Sequence, residues 1–252
     1  MEGIGRLRVL TSPFADYMIA AGTARLKGSP MNPLRKTSLA AGLFYLLTFV
    51  SIPAPFFFYA GVRAPSFIVG PGPDTPVFIG AVLEIIVALA GIGTAAALYP
   101  VVKRQGPSRA VGFVASRTLE GTAIVAGAVT LLSIVTLRQA GVGAAGLVTA
   151  RALAAQYTWM FHLSQSLIPI LNAVLLGSLL YQSRLVPRAL PVIGFVGATL
   201  LLAAWFAVLF GLIGSVSAPA GIAGLVIAAW EFSLGIYLTF WGFKPSPITA
   251  DM

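Results

Sequence analysis

Residues 77–99 read VFIGAVLEIIVALAGIGTAAALY, and this stretch decides the fold. Its only charged side chain is Glu84. At a rise of about 1.5 Å per residue, a helix of this length crosses the roughly 30 Å hydrocarbon layer of a bilayer. The stretch therefore predicts a transmembrane helix.

Five further segments have the same apolar character, and together they predict six transmembrane helices. The six segments are residues 38–59, 77–99, 110–137, 157–181, 189–212 and 219–241. In the whole chain 58% of residues are hydrophobic and 9% are charged, whereas soluble domains have about 25% charged residues. A water-exposed surface cannot be built from so few charges. We therefore predict an all-α fold, a polytopic transmembrane bundle of about six helices.

The segments divide the chain into three predicted parts. These are an N-terminal tail (1–34), a six-helix membrane domain (35–245) and a short C-terminal tail (246–252). Residues 1–30 contain no apolar run long enough for the core of a signal peptide, which favours a flexible or interfacial tail. The alternative is that Met31 is the natural start of the protein.

Basic residues are distributed unevenly between the two ends of the helices. If the N-terminus is cytoplasmic, the inside segments carry Arg35, Lys36, Lys103, Arg104, Arg109, Arg184, Arg188 and Lys244, and the outside loops carry Arg63, Arg138 and Arg151. The positive-inside rule then predicts that both termini are cytoplasmic and that the protein is multi-pass in the plasma membrane. The net charge of +9 is explained in this way, so the expected partner is the lipid bilayer and not a nucleic acid.

Aromatic residues lie near many segment ends, where they are predicted to anchor the helices at the membrane interface. They are Tyr45, Tyr59, Tyr99, Tyr157, Trp159, Tyr181 and Trp241.

Several short stretches resemble one known family. They are NPLRKT at 32–37 followed by GLFYLL at 42–47, ALYP at 97–100, RTLE at 117–120 and LLYQSRLVPR at 179–188. Over about residues 31–245 the sequence is similar to a bacterial integral membrane family, domain of unknown function 4386. The resemblance implies a six-helix fold and supports Met31 as the start, and it implies no established activity.

Seven polar or charged residues lie inside the predicted helices, where ionisable groups are costly and normally have partners. They are Glu84, Arg117, Glu120, His162, Gln165, Asn172 and Glu231. Small residues three, four or seven positions away accompany each glutamate, so these faces should point at other helices. We take the seven residues as candidates for binding a ligand or a proton.

Depth, counted from the cytoplasmic ends, separates these candidates into two tiers. Arg117, Glu120, Asn172 and Glu231 are predicted near the midplane, and Glu84, Gln165 and His162 nearer the outer side. Arg117 and Glu120 should pair within their own helix, although a clasp between helices is the plainer interpretation. Since one guanidinium neutralises one carboxylate, Glu231 is predicted to be free to exchange a proton or bind a cationic or polar ligand. This hypothesis assumes that the third and sixth helices are neighbours.

Catalytic and cofactor signatures are missing from the sequence. There is no cysteine and only one histidine, His162, which is interpreted as a hydrogen-bonding residue near the interface; no metal and no cofactor are expected. GVGAAG at 141–146 matches a dinucleotide fingerprint by letter, but it follows a membrane helix instead of a strand.

Three function classes are compatible with these features. The favoured one is a non-catalytic membrane component that either binds a ligand or associates with a complex. The ligand would be a small molecule or a lipid inside the bundle. The alternatives are a small proton-linked transporter and an intramembrane enzyme that uses carboxylates for acid–base chemistry, with catalytic residues unknown. The oligomeric state is left open.

Overall fold

The computed structural model describes residues 31–252, and within them the protein is all-helical, without a β-strand. Six helical spans are long and apolar enough to cross a membrane: Pro33–Phe58, Thr75–Val102, Pro107–Gln139, Gly143–Ser183, Ala189–Leu209 and Ala218–Phe240. The prediction of a polytopic helical membrane protein is therefore confirmed. Residues 1–30 of the predicted N-terminal tail (1–34) lie outside the described residues, and the limits of the membrane domain stay a prediction.

Seven regular helices build these spans. They are α1 (Pro33–Thr48), α2 (Thr75–Val102), α3 (Pro107–Gln139), α4 (Leu147–His162), α5 (Ile168–Ser183), α6 (Ala189–Leu209) and α7 (Ala218–Phe240). The first span continues beyond α1 through a 3₁₀ turn, Phe49–Ser51, and a π-helical turn, Ala54–Phe58. The fourth span consists of a 3₁₀ turn at Gly143–Gly146, α4, a π-helical turn at Leu163–Leu167, and α5. Short 3₁₀ turns at Pro65–Val69 and Pro247–Thr249 complete the helical structure.

Prolines account for the irregular turns in the first and fourth spans. Pro169 has no backbone N–H, and its ring conflicts with the carbonyl of Gln165 one turn earlier. The helical hydrogen-bond ladder is therefore rearranged just before Pro169, in the π-helical turn. Pro53 and Pro55 lie at the corresponding irregular stretch of the first span. Both irregular turns adjoin the cavities described below.

The fourth span begins earlier than predicted. Its helix α4 starts at Leu147 and not near residue 157. Arg151 was predicted to lie in an outside loop, but it is exposed on the surface of α4, where a helix tolerates it. The loop before α4 is correspondingly shorter, and Arg151 belongs to a helix.

The six spans pack in chain order around a closed ring. Each span contacts the next one along the chain, and α7 also packs against α1, which closes the ring. Because α7 packs mainly against α6 and α1, it lies across the ring from α3. The assumption that the third and sixth helices are neighbours is therefore wrong: they are on opposite sides of the ring.

The two ends of the ring differ in composition. One end, here called the basic face, carries residues 103–106, 184–188 and 241–252; the other, the loop face, carries residues 59–74, 140–146 and 210–217. The start of α1 and the end of α7 meet at the basic face, where the Arg35 guanidinium donates hydrogen bonds to the carbonyls of Leu238 and Thr239. Which face lies in the cytoplasm stays a prediction.

The half of the ring toward the basic face is filled by a hydrophobic core. Fully buried side chains there include Tyr45, Leu98, Phe113, Leu176 and Trp230.

The segment after α7 packs over this end of the ring. Its Lys244 N–H donates to the carbonyl of Leu185 at 2.8 Å, and its Ser246 hydroxyl donates to the carbonyl of Ser183 at 2.6 Å. The ring is thus closed at the basic face, and its open interior lies toward the loop face.

Candidate functional site

Arg117 is the centre of a buried polar cluster that joins three spans. Its Nη1 donates to Glu120 Oε2 at 2.9 Å, and its Nη2 donates to Glu231 on α7. Asn172 on α5 donates through Nδ2 to the same Glu120 oxygen at 2.7 Å. Arg117 and Glu120 are 3% and 7% exposed, and Asn172 is fully buried. The four residues predicted for the midplane tier are therefore in contact, and we call them the Arg117 cluster.

Glu231 is not the free carboxyl group that the sequence predicted. The long Arg117 side chain reaches across the ring and pairs with it, so one guanidinium serves two carboxylates from opposite spans. Each carboxylate nevertheless keeps one oxygen, Glu120 Oε1 and Glu231 Oε2, that accepts no hydrogen bond from the described part of the chain.

Aromatic rings support the guanidinium from the core side. The Arg117 Cζ atom lies 5.4 Å from the ring centre of Tyr45 and 5.8 Å from that of Phe113, at cation–π distance. Tyr45 was predicted to anchor the helix at the interface, and this is wrong because the side chain is fully buried. Gly235 of α7 permits this position, since a Cβ there would lie 2.9 Å from the Tyr45 Cβ.

Glu84 forms a second polar group nearer the loop face. The hydroxyl of Tyr59 donates to Oε2 at 3.1 Å, and that of Tyr157 donates to Oε1 at 3.0 Å. The two rings meet edge to face, with centroids 5.4 Å apart. Gly80 leaves room for this arrangement, because a Cβ there would lie 2.4 Å from the Tyr59 ring.

Tyr59 and Tyr157 were also predicted as interface anchors, and they are buried instead, at 0% and 3% exposure. A buried carboxyl group requires donors, and these hydroxyls supply them. The sequence held one signal for the pairing: Tyr59, Tyr157 and Glu84 all lie toward the loop-face ends of their segments.

A cavity of about 180 Å³ lies between the two polar groups. Glu84, Arg117, Glu120, Gln165 and Glu231 line it, and its remaining wall is mostly apolar. A water molecule occupies about 30 Å³ in the liquid, so the space admits several waters or one small chemical group. The free oxygens described above belong to residues that border this space.

A larger cavity of about 540 Å³ adjoins the first toward the loop face. The two cavities share the wall residues Ile52, Pro55, Phe56, Phe161, Gln165, Gly224 and Ala228. Beyond them the larger cavity is bordered by α6 and by Arg63 and Ser217 from the loop face. Among its lining residues from the first and sixth spans, Ile52, Phe56 and Leu225 are 50%, 64% and 69% exposed.

The outer-tier candidates occupy different positions around these cavities. Gln165 lies where the cavities meet and is exposed to them, whereas His162 lines only the larger one. The rings of Trp159 and Phe161 pack at 5.9 and 6.1 Å from the His162 ring. Within residues 31–252 His162 makes no hydrogen bond, so its interpretation as a hydrogen-bonding residue finds no partner there. Of the seven candidates, only His162 and Asn172 do not border the smaller cavity.

Comparison with known proteins gives one match. The family model described as "Domain of unknown function (DUF4386)" matches residues 40–242, which includes all seven candidate residues and both cavities. No curated protein and no solved structure matches the chain.

Proposed function

The chain belongs to the family described as domain of unknown function DUF4386, and we propose that it binds a small amphipathic molecule inside the membrane without transforming it. One observation carries this proposal. A cavity of about 180 Å³, whose wall is mostly apolar apart from Glu84, Gln165 and the Arg117 cluster, adjoins a more strongly apolar cavity of about 540 Å³. A molecule with a polar head and an apolar body matches this succession of linings.

The dimensions and linings support a ligand of modest size. Small-molecule pockets typically occupy about 300–1,000 Å³ and combine apolar walls with a few polar groups at fixed positions. The larger cavity lies within that range, and residues such as Leu201, Trp205 and Leu225 give it its apolar wall. The fixed polar groups lie in the smaller cavity, where hydrogen bonds hold Glu84 and Arg117 in place.

The hydrogen-bonding pattern favours binding over catalysis. An activated serine or threonine nucleophile requires its hydroxyl to be hydrogen-bonded to a base. Among the described residues, no serine or threonine hydroxyl donates to a carboxylate or to His162; their side-chain bonds go mainly to backbone carbonyls. The carboxyl groups themselves are engaged with Arg117, Asn172 and tyrosine hydroxyls.

A proton-linked transporter is the second candidate, favoured by the position of the Arg117 cluster. The cluster lies between the cavity and the packed core at the basic face, where a gate of a carrier would lie. Transport would require the ring to open at the basic face. Uptake of a bound ligand into vesicles, lost when the pH difference is removed, would favour this candidate over simple binding.

We further propose a bacterial plasma membrane as the location, with the basic face in the cytoplasm. The unequal distribution of Lys and Arg between the two faces supports this orientation. A reporter fused after residue 252, active only in the cytoplasm, tests it.

Filling the cavity tests the proposed function. Gly224 borders both cavities, and a Cβ there would meet no atom within 4 Å, so Gly224→Phe should occupy the space without disturbing the helices. Ile222→Phe, on the exposed face of the same helix, is the matched control. The purified protein in lipid nanodiscs is melted with octanol, octylammonium or octanoate, since a bound ligand raises the melting temperature in a saturable way.

We expect at least one of these amphiphiles to raise the melting temperature of the unmodified chain and of Ile222→Phe, but not that of Gly224→Phe. The proposal is wrong if none of them does so, or if Gly224→Phe responds like its control.

A further inference from the structure

We propose that the head group bound in the smaller cavity is a single cationic amine, held by the free oxygens of Glu120 and Glu231. This inference rests on the proposed function and names the class of ligand that the same cavity takes.

Charge balance is the first argument. The carboxyl groups of Glu120 and Glu231 share the one guanidinium of Arg117, so the ionised cluster carries a net charge of −1 from these three groups. A net charge surrounded by apolar side chains is unfavourable unless an opposite charge or a proton compensates it. One monovalent cation bound in the cavity brings the total charge, together with these three groups, to zero.

Unused hydrogen-bond acceptors are the second argument. Glu120, although 7% exposed, lines the cavity and has an oxygen without a partner in the described residues, and Glu231 has another. Both carboxylates belong to residues that border the cavity, so a donor bound there can supply the missing hydrogen bonds. An ammonium group has three donors and no acceptor, so it can donate to both carboxylates.

Other head groups fit less well. In the smaller cavity an anionic head would find only Arg117 as a positive partner, and the two carboxylates bonded to that guanidinium would repel it. A neutral hydroxyl can donate one hydrogen bond but leaves the net charge in place. Arg63 also borders the larger cavity, yet it is exposed at the loop face, where water and salt screen its charge.

Chain-matched amphiphiles separate this inference from the proposed function. Dissociation constants are measured for octylammonium, octanol and octanoate on the unmodified protein in zwitterionic nanodiscs, with empty nanodiscs as the blank. We expect octylammonium to bind at least about tenfold more tightly than octanol, since charge-assisted hydrogen bonds are stronger than neutral ones. Octanoate should bind most weakly. This comparison uses the natural chain and does not depend on the folding of a variant.

Glu231→Gln then assigns the preference to the cluster. The amide keeps an acceptor for Arg117 and removes the negative charge, so octylammonium should lose about tenfold in affinity while octanol changes less than about threefold. If octanol binds as tightly as octylammonium and Gly224→Phe still blocks both, the cavity binds ligands and the cationic inference is wrong. The inference is equally wrong if Glu231→Gln and Glu120→Gln both retain the full preference for octylammonium. If none of the three amphiphiles binds, the proposed function fails as well.

Discussion

Replacing Arg117 with Met removes the positive charge that Glu120 and Glu231 share. The Arg117 side chain is 3% exposed and bonded to both carboxylates, so the variant leaves the buried Glu120 and the partly buried Glu231 without their counter-ion. Removing one partner of a buried ion pair costs about 3–5 kcal/mol of unfolding free energy. For a chain of this size about 2–4 °C is lost per kcal/mol, so the melting temperature should fall by on the order of 10 °C.

The assay is thermal unfolding of the purified protein in one detergent, followed by helical circular dichroism. Arg104→Met is the matched control, because Arg104 pairs with Asp251 at the surface, where the side chains are 36% and 77% exposed and a pair contributes about 0–1 kcal/mol. The triple variant Arg117→Met, Glu120→Gln, Glu231→Gln removes all three charges. It should recover about 2 kcal/mol or more of the loss, because its buried groups are neutral.

Two results would refute this reasoning. The cluster is not a buried, mutually dependent ion network if Arg117→Met melts within a degree or two of Arg104→Met. The same conclusion follows if the triple variant is no more stable than Arg117→Met alone. In a buried ion network, removing the two carboxylates left without a counter-ion should increase stability.

Further predictions concern the Glu84 group. Gly80→Ala should destabilise the protein by about 1–3 kcal/mol, because its Cβ would lie 2.4 Å from the Tyr59 ring. Gly224→Ala, in open space on another helix, should leave the melting temperature unchanged or raise it. Tyr157→Phe should cost about 1–3 kcal/mol, since Glu84 loses a buried donor. Combined with Glu84→Leu it should cost less than the sum of the single changes, with a coupling energy of about 1 kcal/mol in thermal melts.

These predictions fail in distinguishable ways. Equal stability of Gly80→Ala and Gly224→Ala would contradict the close approach of the Tyr59 ring to α2. Strict additivity of Tyr157→Phe and Glu84→Leu would contradict the hydrogen bond between the two side chains, while leaving the Arg117 cluster unaffected.

The spans and the depth of the polar residues could be predicted from the sequence because both depend on local quantities. Helix length and apolar composition set the number of spans, and the rise per residue placed Arg117, Glu120, Asn172 and Glu231 at one level. The structure brings these four residues into contact. Composition did not predict the start of the fourth span correctly, because a charged residue such as Arg151 can lie exposed on a helix as well as in a loop.

The lateral arrangement could not be predicted in the same way. A helical period says which side chains share a face, but not which helix lies opposite. The reach of Arg117 across the ring to Glu231 depends on ring closure, which arises from contacts between distant segments. A tyrosine near a helix end can serve either as an interface anchor or as a buried hydrogen-bond donor. The role of Tyr59 and Tyr157 could therefore be assigned only once the position of Glu84 was known.

The central claim is that the interior is open from the loop face down to the Arg117 cluster and closed beyond it. The chain has no cysteine, so single-cysteine variants can be labelled directly in intact cells with a membrane-impermeant maleimide. Gln165→Cys, at the junction of the cavities, should be labelled, and Ala173→Cys, in the fully buried core, should not. Ser215→Cys, exposed at the loop face, should be labelled as the positive control. Protection of Gln165→Cys while Ser215→Cys reacts would contradict the claim.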